Sequence, residues 1–116
     1  MGLDRPPARR DGLFGGRGAV HVWDLLGGVG AEPFTAVLYC ELDPGGSVGR
    51  HVQEQYPEIV VGIDGQGEAR VDDRPYRLAA GDVVHLPLGS VLAIENRSSE
   101  EPLSYLIVKA RAPEGR

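Results

Sequence analysis

From residue 19 onward the chain alternates apolar and polar positions in short segments, separated by clusters of Gly, Pro, Asp and Asn. A two-residue period over such lengths marks a strand with one face on a core. The pattern predicts nine strands, over 20–26, 34–42, 49–53, 58–63, 68–71, 76–78, 82–86, 91–95 and 103–109. The second is the clearest: Phe34, Ala36, Leu38, Cys40 and Leu42 share one face, while Thr35, Val37, Tyr39 and Glu41 share the other. That other face is only half polar, so Val37 and Tyr39 call for cover by a second subunit or by the N-terminal strand.

The connections carry the chemistry of tight reversals: Pro44-Gly45-Gly46, Asp64-Gly65-Gln66-Gly67, Asp72-Asp73-Arg74-Pro75 and Ala80-Gly81-Asp82. Gly reaches positive φ, Asp bonds back to nearby amides and Pro presets φ. Antiparallel strands joined this way must close or double over to protect their edges. The expected fold is therefore all-β, an antiparallel β-barrel or jelly roll. Composition agrees, since 17 glycines and 9 prolines among 116 residues leave little room for long helices, and each mid-helix Gly costs about 1 kcal/mol and each Pro about 3.

The first 18 residues differ in texture, with four Arg, two Asp, two adjacent prolines and scattered apolar residues. They read as a mobile basic arm whose Leu13 and Phe14 dock on a partner. A single domain follows over 19–111, then a tail over 112–116. The net charge of -5 divides into +2 on the arm and hence -7 on the rest, a poor balance for nucleic acid, whose phosphates need clustered cations. Gly27, Gly28 and Gly30 lack a following helix, so no nucleotide loop is expected. The lone Cys40 excludes an internal disulfide, and no apolar run approaches the ~18 residues of a membrane span. Neither a membrane nor a nucleic-acid partner is expected, and a cytoplasmic location is.

Two stretches carry chemistry. One runs Gly45, five residues, His51, Val52, Gln53, four residues, Glu58, six residues, Gly65; the other runs Gly81, five residues, Pro87, Leu88, Gly89, two residues, Leu92, three residues, Asn96. Read from the residues, His51 and Gln53 lie two apart on a strand and point to one face, and Glu58 opens the next strand after Tyr56 and Pro57. Three polar groups converging in a barrel mouth make a small-molecule site.

These blocks resemble the paired motifs of the cupin superfamily, small single-domain cupins in particular. The resemblance covers roughly residues 33–110 and implies a cupin-type barrel, or double-stranded jelly roll. In metal-binding cupins two histidines and the glutamate of the first motif, with the histidine of the second, are the ligands. His51 matches the first of these and Glu58 the acidic one, whereas Gln53 and Leu92 stand where the other two histidines would be. Gln53 offers a weaker neutral oxygen, and Leu92 offers apolar bulk. The resemblance thus implies a divalent metal (iron, manganese, zinc or nickel) on His51, Gln53 and Glu58 that is weakly held or absent.

Two functions follow as expectations. The first is a small-molecule binding barrel in which His51, Gln53, Glu58, Leu92 and Tyr56 line the ligand pocket. The alternative is a metal-dependent enzyme, a dioxygenase or isomerase, using His51, Gln53 and Glu58. A homodimer through the N-terminal strand and the Val37 and Tyr39 face is expected in either case.

Overall fold

Ten strands form among the described residues, 3–112, of the computed structural model. They are β1 (Ala8–Asp11), β2 (Ala19–Asp24), β3 (Phe34–Leu42), β4 (Ser47–Val52), β5 (Glu58–Asp64), β6 (Gln66–Val71), β7 (Arg74–Ala79), β8 (Val83–Leu86), β9 (Val91–Asn96) and β10 (Leu103–Ala110). All pairings between them are antiparallel. One sheet has the order β1-β2-β3-β10-β5-β8 and the other β4-β9-β6-β7. Among the described residues no helix is long and apolar enough to cross a membrane.

The two sheets face each other across a core. Val20, Cys40, Leu42, Val60, Val84, Leu86, Leu103 and Tyr105 come from the larger sheet, and Val48, Ala69, Val71, Leu78, Leu92 and Ile94 from the smaller. The expected alternation in β3 is seen in its second half, where Leu38 packs against that core and Cys40 and Leu42 lie within it. Asn96, at the end of β9, is 3 % exposed and donates from Nδ2 to the carbonyls of Leu42, Asp43 and Glu101, while its Oδ1 accepts from the Ser98 amide. This motif position therefore locks the smaller sheet to the β3–β4 turn. Gly65 joins β5 to β6 at φ 97°, and a Cβ there would lie 2.5 Å from the Pro102 carbonyl oxygen, so a side chain is excluded twice over.

Three departures from the sequence pattern have physical causes. The stretch expected to be a mobile arm contains β1, whose residues pair with β2 from Ala8↔Val22 to Asp11↔Ala19, and a 3-10 turn at Leu13–Gly15. All four β1 residues are exposed, so the strand has no alternation to read and is held by its ladder. Leu13 packs against the chain's own core rather than on a partner. Strand β7 begins before Pro75, because it lies at a sheet edge where a missing N–H breaks no ladder bond. The tail expected over 112–116 lies outside the described residues except for Ala112.

The outer face of the larger sheet carries a row of cross-strand neighbours, Trp23, Tyr39, Leu106, Val61 and Val83, on five successive strands. A second row holds Val37, Val108, Ile59 and His85. Strand β1 extends this sheet at its edge and does not lie across Val37 and Tyr39.

Candidate functional site

Glu58 is the first residue of β5 and pairs across the ladder with Lys109 of β10 on one side and Leu86 of β8 on the other. Directly opposed residues share a face, and here that face looks into the barrel. Opposite, His51 of β4 pairs with Leu92 of β9. The β4–β9 register shifts between Val48 and His51, and this irregularity lets both Val48 and His51 reach the same cavity. That cavity, about 150 Å³, is lined by His51, Glu58, Leu92, Cys40, Tyr105 and Lys109 among apolar side chains. Gln53 and Tyr56 line an adjoining open cleft of about 280 Å³, which shares Phe14, His51 and Lys109 with the cavity. His51, Glu58 and Leu92 are thus together, with Gln53 and Tyr56 at the entrance. A larger hollow of about 510 Å³ between Tyr76, Arg77 and Arg97 holds none of these residues, and its arginines are engaged by Asp82 and Glu95.

Two residues enter the site that the motifs do not contain. Phe14 stacks on the His51 ring with centroids 4.1 Å apart and planes 12° apart. The turn that carries it seats directly on β4 at Gly49, where a Cβ would lie 1.9 Å from the Phe14 carbonyl oxygen. Lys109 brings its ammonium to 3.7 Å from Glu58 Oε2, an ion pair too long for a hydrogen bond. A signal for Lys109 was present in the sequence: Leu103, Tyr105, Ile107 and Lys109 alternate along one strand, so the only lysine falls on the inward face. Phe14 had no such signal, because its role depends on a close backbone approach.

The electrostatics follow from burial. Glu58 is 4 % exposed and Oε2 has no hydrogen-bond partner. Burial pushes its carboxyl above the ordinary carboxylate range, and Lys109 opposes that. Burial holds His51 below the usual imidazole value, although its bond to a backbone carbonyl opposes this; the Lys109 charge adds to the lowering. His51 Nδ1 lies 2.9 Å from the Gly49 carbonyl oxygen, which assigns the proton to Nδ1 and leaves Nε2 as an acceptor. The Cys40 thiol is pushed up to about 12, by burial first and then by Glu58, so it is a core residue and no nucleophile.

The donor set does not fit a transition metal. Among the described residues no three of His, Cys, Asp and Glu converge. The fourth ligand position is Leu92, 1 % exposed, and the cation beside Glu58 is the Lys109 ammonium. A divalent ion on Glu58 would have to displace that charge or sit against it.

Residues 38–109 match the Cupin domain family, and the chain belongs to it. Among solved structures it is similar to a predicted oxalate decarboxylase from Thermotoga maritima, at 26% identity and TM-score 0.81, covering 92% of this chain and 93% of that one. It is also similar to a Cupin 2 conserved barrel domain protein from Salinispora arenicola, at 30% identity and TM-score 0.69, covering 80% and 76%. A sugar phosphate isomerase of the cupin superfamily from Silicibacter pomeroyi is similar at 25% identity and TM-score 0.68, with 81% of this chain covering 60% of that one. No curated protein matches the sequence.

Proposed function

We infer that the protein is a small-molecule binding cupin that works without a metal, its ligand seated in the barrel cavity with polar groups toward His51 and the Glu58–Lys109 pair. The observation that carries this reading is the Lys109 ammonium 3.7 Å from the buried Glu58 carboxylate. The chain supplies by itself the positive charge that a metal gives Glu58 in metal-binding relatives. The cavity beyond is apolar, so the ligand has an apolar part against Leu92, Leu38 and Ile107 and a polar end at His51. Oxalate, named for the Thermotoga maritima protein, suits this site poorly: it is a dianion, and without a metal the pair offers it no net positive charge.

The rival reading is a metal-dependent enzyme using His51, Gln53 and Glu58. One observation favours it, the free Nε2 of His51 left by the Gly49 bond. Elemental analysis of protein purified without chelators or a nickel column separates the two. Far less than one metal per chain is expected, and one equivalent of iron, manganese, zinc or nickel overturns the metal-free reading.

A further inference from the structure

Eleven of the twelve basic residues are arginine, and the one lysine is the residue that lines the barrel cavity. A guanidinium stays protonated in proteins, whereas a primary amine can lose its proton and bond to a carbonyl carbon. Two features beside this amine serve such a reaction, a carboxylate that can take its proton and an apolar cavity that can hold the partner. The lysine nitrogen lies 3.7 Å from Glu58 Oε2, a buried oxygen with no hydrogen-bond partner. Inward is the apolar cavity of about 150 Å³, and outward the open cleft of about 280 Å³ past His51, Gln53 and Tyr56. The side chain is 34% exposed, reachable from the cleft and yet partly shielded from water.

We propose that Lys109 is the nucleophile of a site that takes up a small uncharged aldehyde or ketone as an imine, with Glu58 carrying the protons. This rests on the metal-free reading above. The Lys109 ammonium first gives a proton to the Glu58 carboxylate 3.7 Å away; the freed lone pair then forms a bond to the carbonyl carbon, and the carbon–oxygen bond breaks. The oxygen leaves as water with two of the three ammonium protons, passed through the Glu58 carboxylate. The product is a protonated imine whose charge the same carboxylate balances, so neither an oxidant nor a reductant is consumed. The cavity selects the class of partner: its size admits a short chain, its lining is apolar, and Glu58 repels the carboxylate of a 2-oxo acid.

The test uses the full chain with butanal and sodium cyanoborohydride, which reduces the imine to a stable butyl-lysine. Peptide mapping by mass spectrometry separates Lys109 from the chain's α-amino group, and the rate is compared with that of Nα-acetyl-lysine amide. Lys109 is expected to react about a hundredfold faster than the amide, the scale of positioned proton transfer. Glu58→Gln brings the rate close to that of the amide with an unchanged circular dichroism spectrum, and Lys109→Arg removes the label. A wild-type Lys109 that reacts no faster than the amide overturns the proposal, and that measurement needs no variant to fold. So does a natively folded Glu58→Gln that reacts as fast as wild type. Bound metal overturns the preceding reading and this one together, whereas a metal-free protein with an unreactive Lys109 overturns this one alone.

Discussion

Replacing Lys109 with methionine keeps most of the aliphatic stem and removes the charge that faces Glu58. Unit charges 3.7 Å apart attract by about 4.5 kcal/mol at an effective dielectric of about 20, and by about 1.1 kcal/mol in water. The Lys109 side chain is 34% exposed and that of Glu58 2%, so solvent screens one partner of the pair. A loss of about 2 kcal/mol near neutral pH is expected, below the roughly 3–5 kcal/mol for breaking a fully buried pair. The pH dependence separates charge from packing. Glu58 has a folded-state pKa above its ordinary value of 4.5, raised by burial and held back by Lys109. Such a carboxyl contributes stability that is fully present below the unfolded-state value and is lost as pH rises through the folded-state value. Without Lys109 the folded-state value climbs further and more stability is lost on the way to neutrality. In urea unfolding, Lys109→Met is expected to fall well below wild type at about pH 7 and to converge on it at about pH 4, where Glu58 is largely neutral. Adding Glu58→Gln recovers most of the difference. Equal stability near pH 7, or a gap that persists at pH 4, would refute the charge argument, the second pointing to lost packing instead.

His51 titrates in the opposite sense. Its folded-state pKa lies below 6.5, first because of burial, so its contribution to stability is present above 6.5 and lost as pH falls through the folded-state value. His51→Gln is expected to flatten the acid limb of a urea-stability profile, and an unchanged limb contradicts this. Gly49→Ala places a methyl group against the Phe14 carbonyl and should cost about 1–3 kcal/mol; it should also remove the ring-current shift that Phe14 imposes on the His51 ring protons, and a native His51 spectrum in this variant counts against the seating of the turn. We further propose that the outer rows of the larger sheet seat a second copy, so light scattering of wild type should give a dimer that Val83→Lys with Ile59→Lys dissociates; a monomeric wild type removes this idea.

The fold was legible because its two signals are local. A two-residue period places Phe34, Leu38, Cys40 and Leu42 on one side of β3 whatever the rest of the chain does, and turn residues such as Gly65 and Asp72 mark where strands end. Strand β1 was hidden because Ala8, Arg9, Arg10 and Asp11 are all exposed, and pairing alone leaves no trace in the pattern. The candidate site was half legible. His51, Glu58 and Leu92 follow from motif spacing, but the Lys109 contact joins residues 51 positions apart through the β5–β10 ladder, and a one-residue change of register there would turn Lys109 away. Inward direction could be read from Leu103, Tyr105 and Ile107, but the partner could not.

The two motifs contain positions of different kinds, and only one kind bears on chemistry. Gly65 and Asn96 serve the backbone, the first through a positive φ and the second through three carbonyls it ties together. Such positions make the barrel whatever it holds, which is why the match to the Cupin domain family establishes the fold and leaves the reaction open. Of the four ligand positions, 51, 58 and 92 face the cavity and 53 the adjoining cleft, and two of the four are Gln53 and Leu92. What replaces them comes from outside both motifs. A strand of the larger sheet supplies a cation to Glu58, and a turn ahead of the domain's first motif supplies a ring to His51. A metal ligand absent at position 92 and a cation present at position 109 bear on the same site. Their effects on Glu58 are therefore coupled, and restoring histidine at 92 while Lys109 remains would put a ligand beside an ion pair and not beside a free carboxylate.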